Sequence, residues 1–402
     1  MEPPARKSAA DAKSIAVIGL SYPFRGGISH YTTLLVRELR KRRPVRFISL
    51  LRQYPGFLFP GKSQYDYSAR KLEESNERLV DTLNPLTWLK VARMLRRERP
   101  ALIIFQWWHP FFAPAFGTIV RLLPRDLQRR VCFLCHNVLP HEGSSVSRLL
   151  TKFAFGRARF FIVHSEQDQK HLLELKPDAT VCKGVHPSYE EFGSWDGESK
   201  ADARAALAIP EDQRTILFFG LIRTYKGLDY LIEAMPAVLR KFGCQLLIVG
   251  EFYDDKQKYL DLLDRLGIGS SVRVVDRYVP NEEVARYFRA ADVAVLPYVS
   301  ATQSGIVQIA FGLGTPVITT DVGGLPEAVA HERTGLIVKP RDASQLADAI
   351  VRYYENGLED PFRKEILGQA GRFEWDSEIG IVEGFLAAGP EPLVDRAPPV
   401  SP

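Results

Sequence analysis

Short apolar runs that end in a loop and lead into a helical pattern recur along the whole chain. The first is KSIAVIGL at 13–20, and a helical pattern begins after Gly26 and Gly27. Similar runs are VRFISLL, ALIIFQ, VCFLCHN and RFFIVHS, with helical stretches such as LTWLKVARMLRRE between them. Strands that alternate with helices predict a parallel, doubly wound sheet. The predicted fold class is therefore α/β.

The alternating pattern stops in a polar segment at 184–210 and then starts again. The second series of apolar runs is TILFFGLI, CQLLIVGE, VRVVDRYV, VAVLPY, PVITTDVGG and GLIVKP. A chain of 402 residues is also too long for one ordinary core. We therefore predict two Rossmann-like domains, at 13–190 and 191–372. The polar residues 1–12 and the proline-rich residues 389–402 are expected to be disordered.

The N-terminal half carries two clusters of basic residues, at 37–46 and 93–99, although the formal net charge is only +5. Such clusters are usually solvated helix faces, and the alternative is attraction to acidic lipid or another polyanion. The segment 101–123 is long enough to span a bilayer, but Gln106 and Pro110 interrupt it, so a buried strand followed by a loop is preferred. The N-terminus has no apolar signal region, and a cytoplasmic protein is expected.

Three loops fall where an open α/β sheet binds anions, beyond the carboxyl ends of strands. They contain Gly26 with Gly27, the segment GLIRTYKG with Arg223 and Lys226, and the uncharged segment QSGI at 303–306. Together they predict a diphosphate site in a cleft between the domains. The alternatives are an exposed basic loop for Arg223 and Lys226, and close helix packing by small residues for QSGI.

Four longer stretches resemble a known family. They are GGISHYTTLLVREL, FFGLIRTYKGLDYLIEAMP, YVPNEEVARYFRAADVAVLPY and GLGTPVITTDVGGLPEAVAHERTGLIVKPRDASQLADAI. They resemble the glycogen-synthase-like, retaining glycosyltransferases of family four, and the likeness covers about 14–388. The resemblance implies the GT-B fold, in which two Rossmann-like domains face each other across a cleft. It also implies that a last helix, at 373–388, crosses back to the first domain.

The resemblance assigns roles to the catalytic candidates and the donor loop. Gly26 and Gly27 would lie beside the diphosphate, and Arg223 and Lys226 would neutralise its charge while the sugar–phosphate bond breaks. The usual arginine of the family is absent, since Leu221 occupies its position. His136 would face the donor sugar; its alternative is a buried histidine bonded to backbone.

The remaining site candidates concern the base, the sugar and the acceptor. Tyr278 and Val279 would recognise the base through their backbone. A neutral clamp at a helix N-terminus would be formed by Gln303, Ser304, Gly305 and Ile306. Contacts with the acceptor would come from His30, His141 and Glu142. No metal site and no cofactor are expected, because the family is generally metal-independent and the nucleotide sugar is a substrate.

The run ATQSGIVQIAFGLGTPV departs from the family, which usually has two glutamates there. Their positions hold Ala301 and Ile309 in this chain. Either a neighbouring residue replaces the contact that a glutamate would make with the ribose, or that contact is lost at a cost of about 1–3 kcal/mol. Transfer would still be possible, because front-face attack leaves the acceptor proton to the departing phosphate.

The expected function is transfer of a hexose-type sugar from a nucleoside diphosphate to a hydroxyl acceptor, with retention, in polysaccharide, glycolipid or lipid-linked glycan synthesis. The aromatic loops RQYPGFLFPGKSQYDY and QWWHPFF suggest an acceptor side that binds sugar or meets the inner face of a membrane, although most of the Trp and Phe side chains could be core. A sugar-nucleotide 2-epimerase of the same architecture and a non-catalytic sugar-nucleotide-binding subunit are the alternatives.

Overall fold

The computed structural model describes residues 13–56, 59, 61–140, 144–193 and 197–389. Both ends expected to be disordered lie almost wholly outside this part of the chain. Within it, no helix is long and apolar enough to cross a membrane. The segment 101–123 instead forms a buried strand and a separate ten-residue helix.

The first domain contains a seven-stranded sheet in which every neighbouring pair is parallel. The strands are β1 Ile15–Gly19, β2 Val45–Arg52, β3 Glu77–Asp81, β4 Leu102–Trp107, β5 Val131–Cys135, β6 Phe160–Val163 and β7 Thr180–Lys183. Their order across the sheet is β3-β2-β1-β4-β5-β6-β7, so the direction of winding reverses between β1 and β4. The helices are α1 Gly27–Arg40, α2 Pro85–Glu98, α3 Ala113–Leu122, α4 Arg125–Gln128, α5 Ser145–Phe155 and α6 Glu166–Leu175.

The second domain repeats this plan with six parallel strands. They are β8 Arg214–Phe219, β9 Cys244–Val249, β10 Val272–Val275, β11 Val293–Leu296, β12 Val317–Thr320 and β13 Gly335–Val338. The order β10-β9-β8-β11-β12-β13 reverses between β8 and β11. The helices are α7 Lys200–Ala206, α8 Leu228–Leu239, α9 Gln257–Leu266, α10 Asn281–Ala290, α11 Gly305–Gly312, α12 Leu325–Ala328, α13 Ala343–Glu355 and α14 Glu359–Gly368.

The central strands of both sheets are buried along their whole length, which explains why they read as continuous apolar runs. Helices cover both faces of each sheet, and this arrangement matches the predicted α/β fold with two Rossmann-like domains. Loops that follow β1, β8 and β11 border the points where winding reverses. Crevices at such points are where doubly wound sheets bind ligands.

A final helix, α15 Trp375–Ala388, packs against α1 of the first domain although it follows the second domain in sequence. Phe385 stacks on Phe160 with ring centroids 4.5 Å apart. Glu383 pairs with Arg43, and Lys13 Nζ donates to the Leu386 carbonyl at 3.0 Å. The last helix of the chain therefore packs as part of the first domain, although the second domain precedes it in sequence.

The aromatic loop QWWHPFF belongs mostly to the core, which is the alternative interpretation of its sequence. Trp107 and Phe112 are fully buried, and Trp108 is 7% exposed. Most of the first basic cluster is neutralised as well, because its arginines pair with carboxylates. The pairs are Arg37 with Glu74 and Glu191, Arg40 with Glu74, Arg42 with Asp376, Arg43 with Glu383, and Arg46 with Glu77 and Glu98.

Candidate functional site

Lys226 is a buried cation at the interdomain cleft. It ends a short 3₁₀ turn after β8, is only 8% exposed, and places Nζ 5.3 Å from the ring centroid of Tyr298. None of the carboxylates that the structure describes forms an ion pair with it. Burial lowers the pKa of Lys226, and nearby Arg223 lowers it further. A buried lysine without a carboxylate is costly unless an anion joins it.

The three loops predicted to bind phosphate converge around this lysine. Gly220 has φ 107°, and a methyl group there would lie 3.0 Å from Lys226 Nζ and 3.3 Å from Ile306 Cδ1. Tyr189, which sequence reasoning missed, joins the other two loops. Its hydroxyl lies 3.4 Å from the Gly27 carbonyl, and its ring would lie 3.3 Å from a methyl group at Gly305.

The N-terminus of α11 faces this junction with neutral groups. Ser304 is the N-cap but makes no capping bond; its hydroxyl lies 3.3 Å from that of Tyr298. The first turn of α11 has no acidic residue. Ala301 and Ile309, at the positions where the resemblance implies glutamates, are 5% and 8% exposed and belong to the apolar core. The helix end therefore offers backbone N–H groups to an anion without a competing carboxylate.

His136 follows β5 and lies beside the QSGI loop, because Thr302 contacts the neighbouring Asn137 and lies 3.5 Å from the His136 carbonyl. Its Nε2 is 2.7 Å from Oε1 of Gln106, a buried side chain on β4. Burial, with His164 and His186 nearby, holds the pKa of His136 well below its usual value. The ring is thus a neutral imidazole held by a side chain.

A buried polar cluster behind His136 was not predicted. The Tyr31 hydroxyl donates to Glu378 at 2.8 Å, and His164 Nε2 lies 3.3 Å from the same carboxylate. The Tyr31 ring meets that of His136 edge-on, with centroids 4.8 Å apart. Glu378 belongs to α15, so this final helix supports the side of the cleft that carries His136. No local pattern could reveal this contact, since its partners are 347 residues apart.

The mouth of the cleft contains the two residues predicted to read the base. The Tyr278 carbonyl accepts a hydrogen bond from the Tyr67 hydroxyl at 2.5 Å, and Val279 is buried. Above the Tyr278 ring lies Arg25, whose guanidinium carbon is 4.8 Å from the ring centroid. Arg25 also forms a buried ion pair across the cleft with Glu251 at 2.7 Å. Sequence reasoning passed over this pair, although Arg25 directly precedes the glycine loop.

The acceptor candidates are less well placed in the structure. His30 is 6% exposed, with its ring against Phe192 and Nε2 3.7 Å from Asp66 Oδ2, so an acceptor contact remains a prediction. His141 and Glu142 lie outside the described residues. Among the residues that are described, no three His, Cys, Asp or Glu side chains are grouped to hold a metal ion.

Two family models match this chain, one in each domain. Residues 26–185 match the glycosyl transferase 4-like domain, and residues 213–356 match glycosyl transferases group 1. Together they cover about three quarters of the sequence. Each domain of the chain thus matches a glycosyltransferase family model. The matched residues include Gly26, Gly27, the segment GLIRTYKG and the segment QSGI.

Curated relatives match this chain over part of their length. An uncharacterised glycosyltransferase of Methanocaldococcus jannaschii is 31% identical over 204 residues, which are 49% of this chain and 50% of the relative. A D-inositol 3-phosphate glycosyltransferase of Segniliparus rotundus is 31% identical over 237 residues, or 56% of this chain and 52% of the relative. The chain thus spans about half the length of these relatives.

Solved structures share the whole architecture of this chain. Sucrose-phosphate synthase of Thermosynechococcus elongatus superposes with a TM-score of 0.69 at 21% identity, covering 94% of this chain and 99% of the other. HepE of Anabaena, in complex with UDP-glucose, has a TM-score of 0.70 at 16% identity, covering 94% and 100%. At these identities the likeness establishes the GT-B fold, as predicted.

Proposed function

We propose that this protein transfers a hexose-type sugar from a nucleoside-diphosphate sugar to a hydroxyl acceptor, with retention of anomeric configuration. The observation that carries the proposal is Lys226, a buried cation without a described carboxylate partner, where three loops of two facing domains meet. Such a site needs an anion, and a diphosphate matches the two cations Lys226 and Arg223.

The chemistry follows from how charge changes during transfer. When the bond between sugar and phosphate breaks, negative charge grows on the leaving diphosphate. Lys226, Arg223 and the N-terminus of α11 would stabilise that charge, and a fixed donor of this kind is worth about 10²–10³ in rate. The departing phosphate would take the acceptor's proton on the same face of the sugar. Neutral His136 would orient the sugar through a hydrogen bond.

The relatives support the substrate classes in this proposal. HepE was solved with UDP-glucose, so a nucleotide sugar is a suitable donor class for a chain of the same fold. The D-inositol 3-phosphate glycosyltransferases are named for a hydroxyl-bearing acceptor. For this chain we propose an acceptor of the glycan or lipid-linked class, used by a cytoplasmic enzyme at the inner face of a membrane without a metal or other cofactor.

A panel of sugar nucleotides tests the proposal against its two alternatives. The purified protein is incubated with UDP-, GDP- and ADP-hexoses, with and without candidate glycan and lipid-linked acceptors. Release of nucleoside diphosphate only when an acceptor is present supports transfer, and the anomeric proton signal of the product tests retention. An altered sugar without acceptor indicates the epimerase. Binding without turnover indicates the non-catalytic subunit.

A further inference from the structure

Helix α5 of the first domain exposes an apolar stripe to solvent. Val146 and Leu149 are 64% and 69% exposed, and Phe153 is 36% exposed. Their spacing of three and four residues places them on one face of the helix. The opposite face buries Thr151, Ala154 and Phe155 against the domain. A helix that packs on its core and still exposes three large apolar side chains has a second surface to cover.

Basic side chains border this stripe. Arg148 and Lys152 of α5 are exposed, and the Arg121 guanidinium lies over the Phe153 ring at 3.7 Å. At the C-terminal end of the helix, a groove is lined by Arg125, Arg129, Arg157, Arg159 and Lys176 together with Asp178. The sequence contains no acidic residue from 143 to 165.

The two aspartates nearest the groove have basic partners of their own. Asp126 pairs with Arg99, and Asp178 lies 3.0 Å from Lys176. No carboxylate in the described part of the chain pairs with Arg125, Arg129 or Arg157, or with Arg148 or Lys152 of α5. The first basic cluster, at 37–46, is different, because most of its arginines have acidic partners. The border of α5 therefore keeps positive charge available to an external anion.

The direction of α5 relates this surface to the cleft. Since β5 and β6 are parallel, the helix between them runs back from the carboxyl ends of the strands. Val146 therefore lies at the end of the helix toward the carboxyl edge of the sheet, and the arginine groove lies at the far end. The helix, with eleven residues at 1.5 Å each, is about 16 Å long, and its stripe from Val146 to Phe153 is about 10 Å long.

We propose that the α5 stripe and its basic border form a docking surface for a membrane that contains anionic lipid. An apolar strip flanked by arginine and lysine is the composition that lies in the plane of a lipid interface. Positive charge without acidic partners complements the negative surface of such a membrane. A membrane bound there would lie beside the open end of the cleft, where a lipid-linked acceptor would enter. Docking does not require transfer activity, so this inference and the proposed function can fail separately.

Vesicle flotation tests the surface directly. The full chain is mixed with vesicles of phosphatidylcholine containing 30% phosphatidylglycerol, and with vesicles of phosphatidylcholine alone. We expect binding to the anionic vesicles that weakens in 0.5 M NaCl. The double variant Val146→Glu, Leu149→Glu should lower the partition coefficient at least tenfold. Arg125→Ala and Arg129→Ala should each lower it about fivefold.

The matched control is Leu173→Glu on α6, another exposed leucine of the same domain, which should bind as the wild type does. Circular dichroism and thermal melting check that each variant folds. Equal binding by the double variant and the wild type, or no flotation of the wild type, would overturn the proposal. So would a dimer in lipid-free solution that the double variant dissociates, because the stripe would then be a protein interface.

Discussion

The two walls of the cleft differ in whether their buried polar groups have partners within the chain. On the first-domain wall, His136, Tyr31 and His164 pack together, and Glu378 accepts a hydrogen bond from the Tyr31 hydroxyl inside the molecule. On the second-domain wall, Lys226 is also buried but has no described carboxylate. The comparison teaches that a buried carboxylate with partners inside the chain supports the fold, whereas a buried charge without such a partner awaits a ligand.

Removing the carboxylate of the first wall should have the largest effect on stability. We expect Glu378→Ala to lower the free energy of unfolding by about 3–5 kcal/mol, because Tyr31 and His164 lose their buried partner. Urea unfolding measures this. Glu383→Ala on the same helix is the control, since its pair with Arg43 is partly exposed and is worth about 1 kcal/mol or less. Equal losses in both variants would contradict the distinction.

Removing the cation of the second wall should affect catalysis instead. Lys226→Ala is expected to lower kcat/KM about 10²–10³-fold, because the leaving diphosphate loses a fixed positive charge. Its free energy of unfolding should stay within about 1 kcal/mol of the wild type, since no described ion pair is broken. Steady-state kinetics and urea unfolding are compared with Lys241→Ala, an exposed lysine of the same domain. A strong loss of stability with unchanged kcat/KM would contradict this prediction, because Lys226 would then stabilise the fold and not the leaving diphosphate.

Acid should weaken the first wall through its neutral histidines. Burial lowers the pKa of His186 to about 3, whereas a histidine in the unfolded chain titrates near 6.5. Between pH 7 and 5 the unfolded state therefore takes up a proton that the folded state does not, and stability falls by about 2 kcal/mol from this residue. The measurement is urea unfolding at both pH values. His186→Phe should reduce the decrease by that amount, and an unchanged decrease would refute the assignment.

The neutral donors of the second wall should give the smallest effects. Gln303→Ala and Ser304→Ala are each expected to raise KM for the donor about fivefold, because each removes one hydrogen bond worth about 1 kcal/mol. Initial rates at varied donor concentration measure this. Gln257→Ala, at an exposed position of α9, is the control. Unaltered kinetics would indicate that the QSGI segment serves helix packing and does not bind the donor.

Sequence patterns predicted best what depends on local order. Apolar runs followed by glycine marked the loops after β1, β8 and β11, and these loops meet at Lys226. Contacts between distant residues, such as Glu378 with Tyr31, leave no such pattern. Residue type alone also failed to separate core from surface. The aromatic Trp107 is fully buried, whereas Leu149, in an ordinary helical pattern, is 69% exposed.

Because α15 packs on the first domain, that domain is built from two separate stretches of the sequence. The two stretches could be made continuous. Because Lys13 Nζ reaches the Leu386 carbonyl, the start of β1 and the end of α15 lie side by side. A circular permutant that joins 389 to 13 through a short linker, and opens between the domains, would place α15 directly before β1. The first domain could then be produced alone as 375–389 followed by 13–190, with Tyr31 still covered by Glu378.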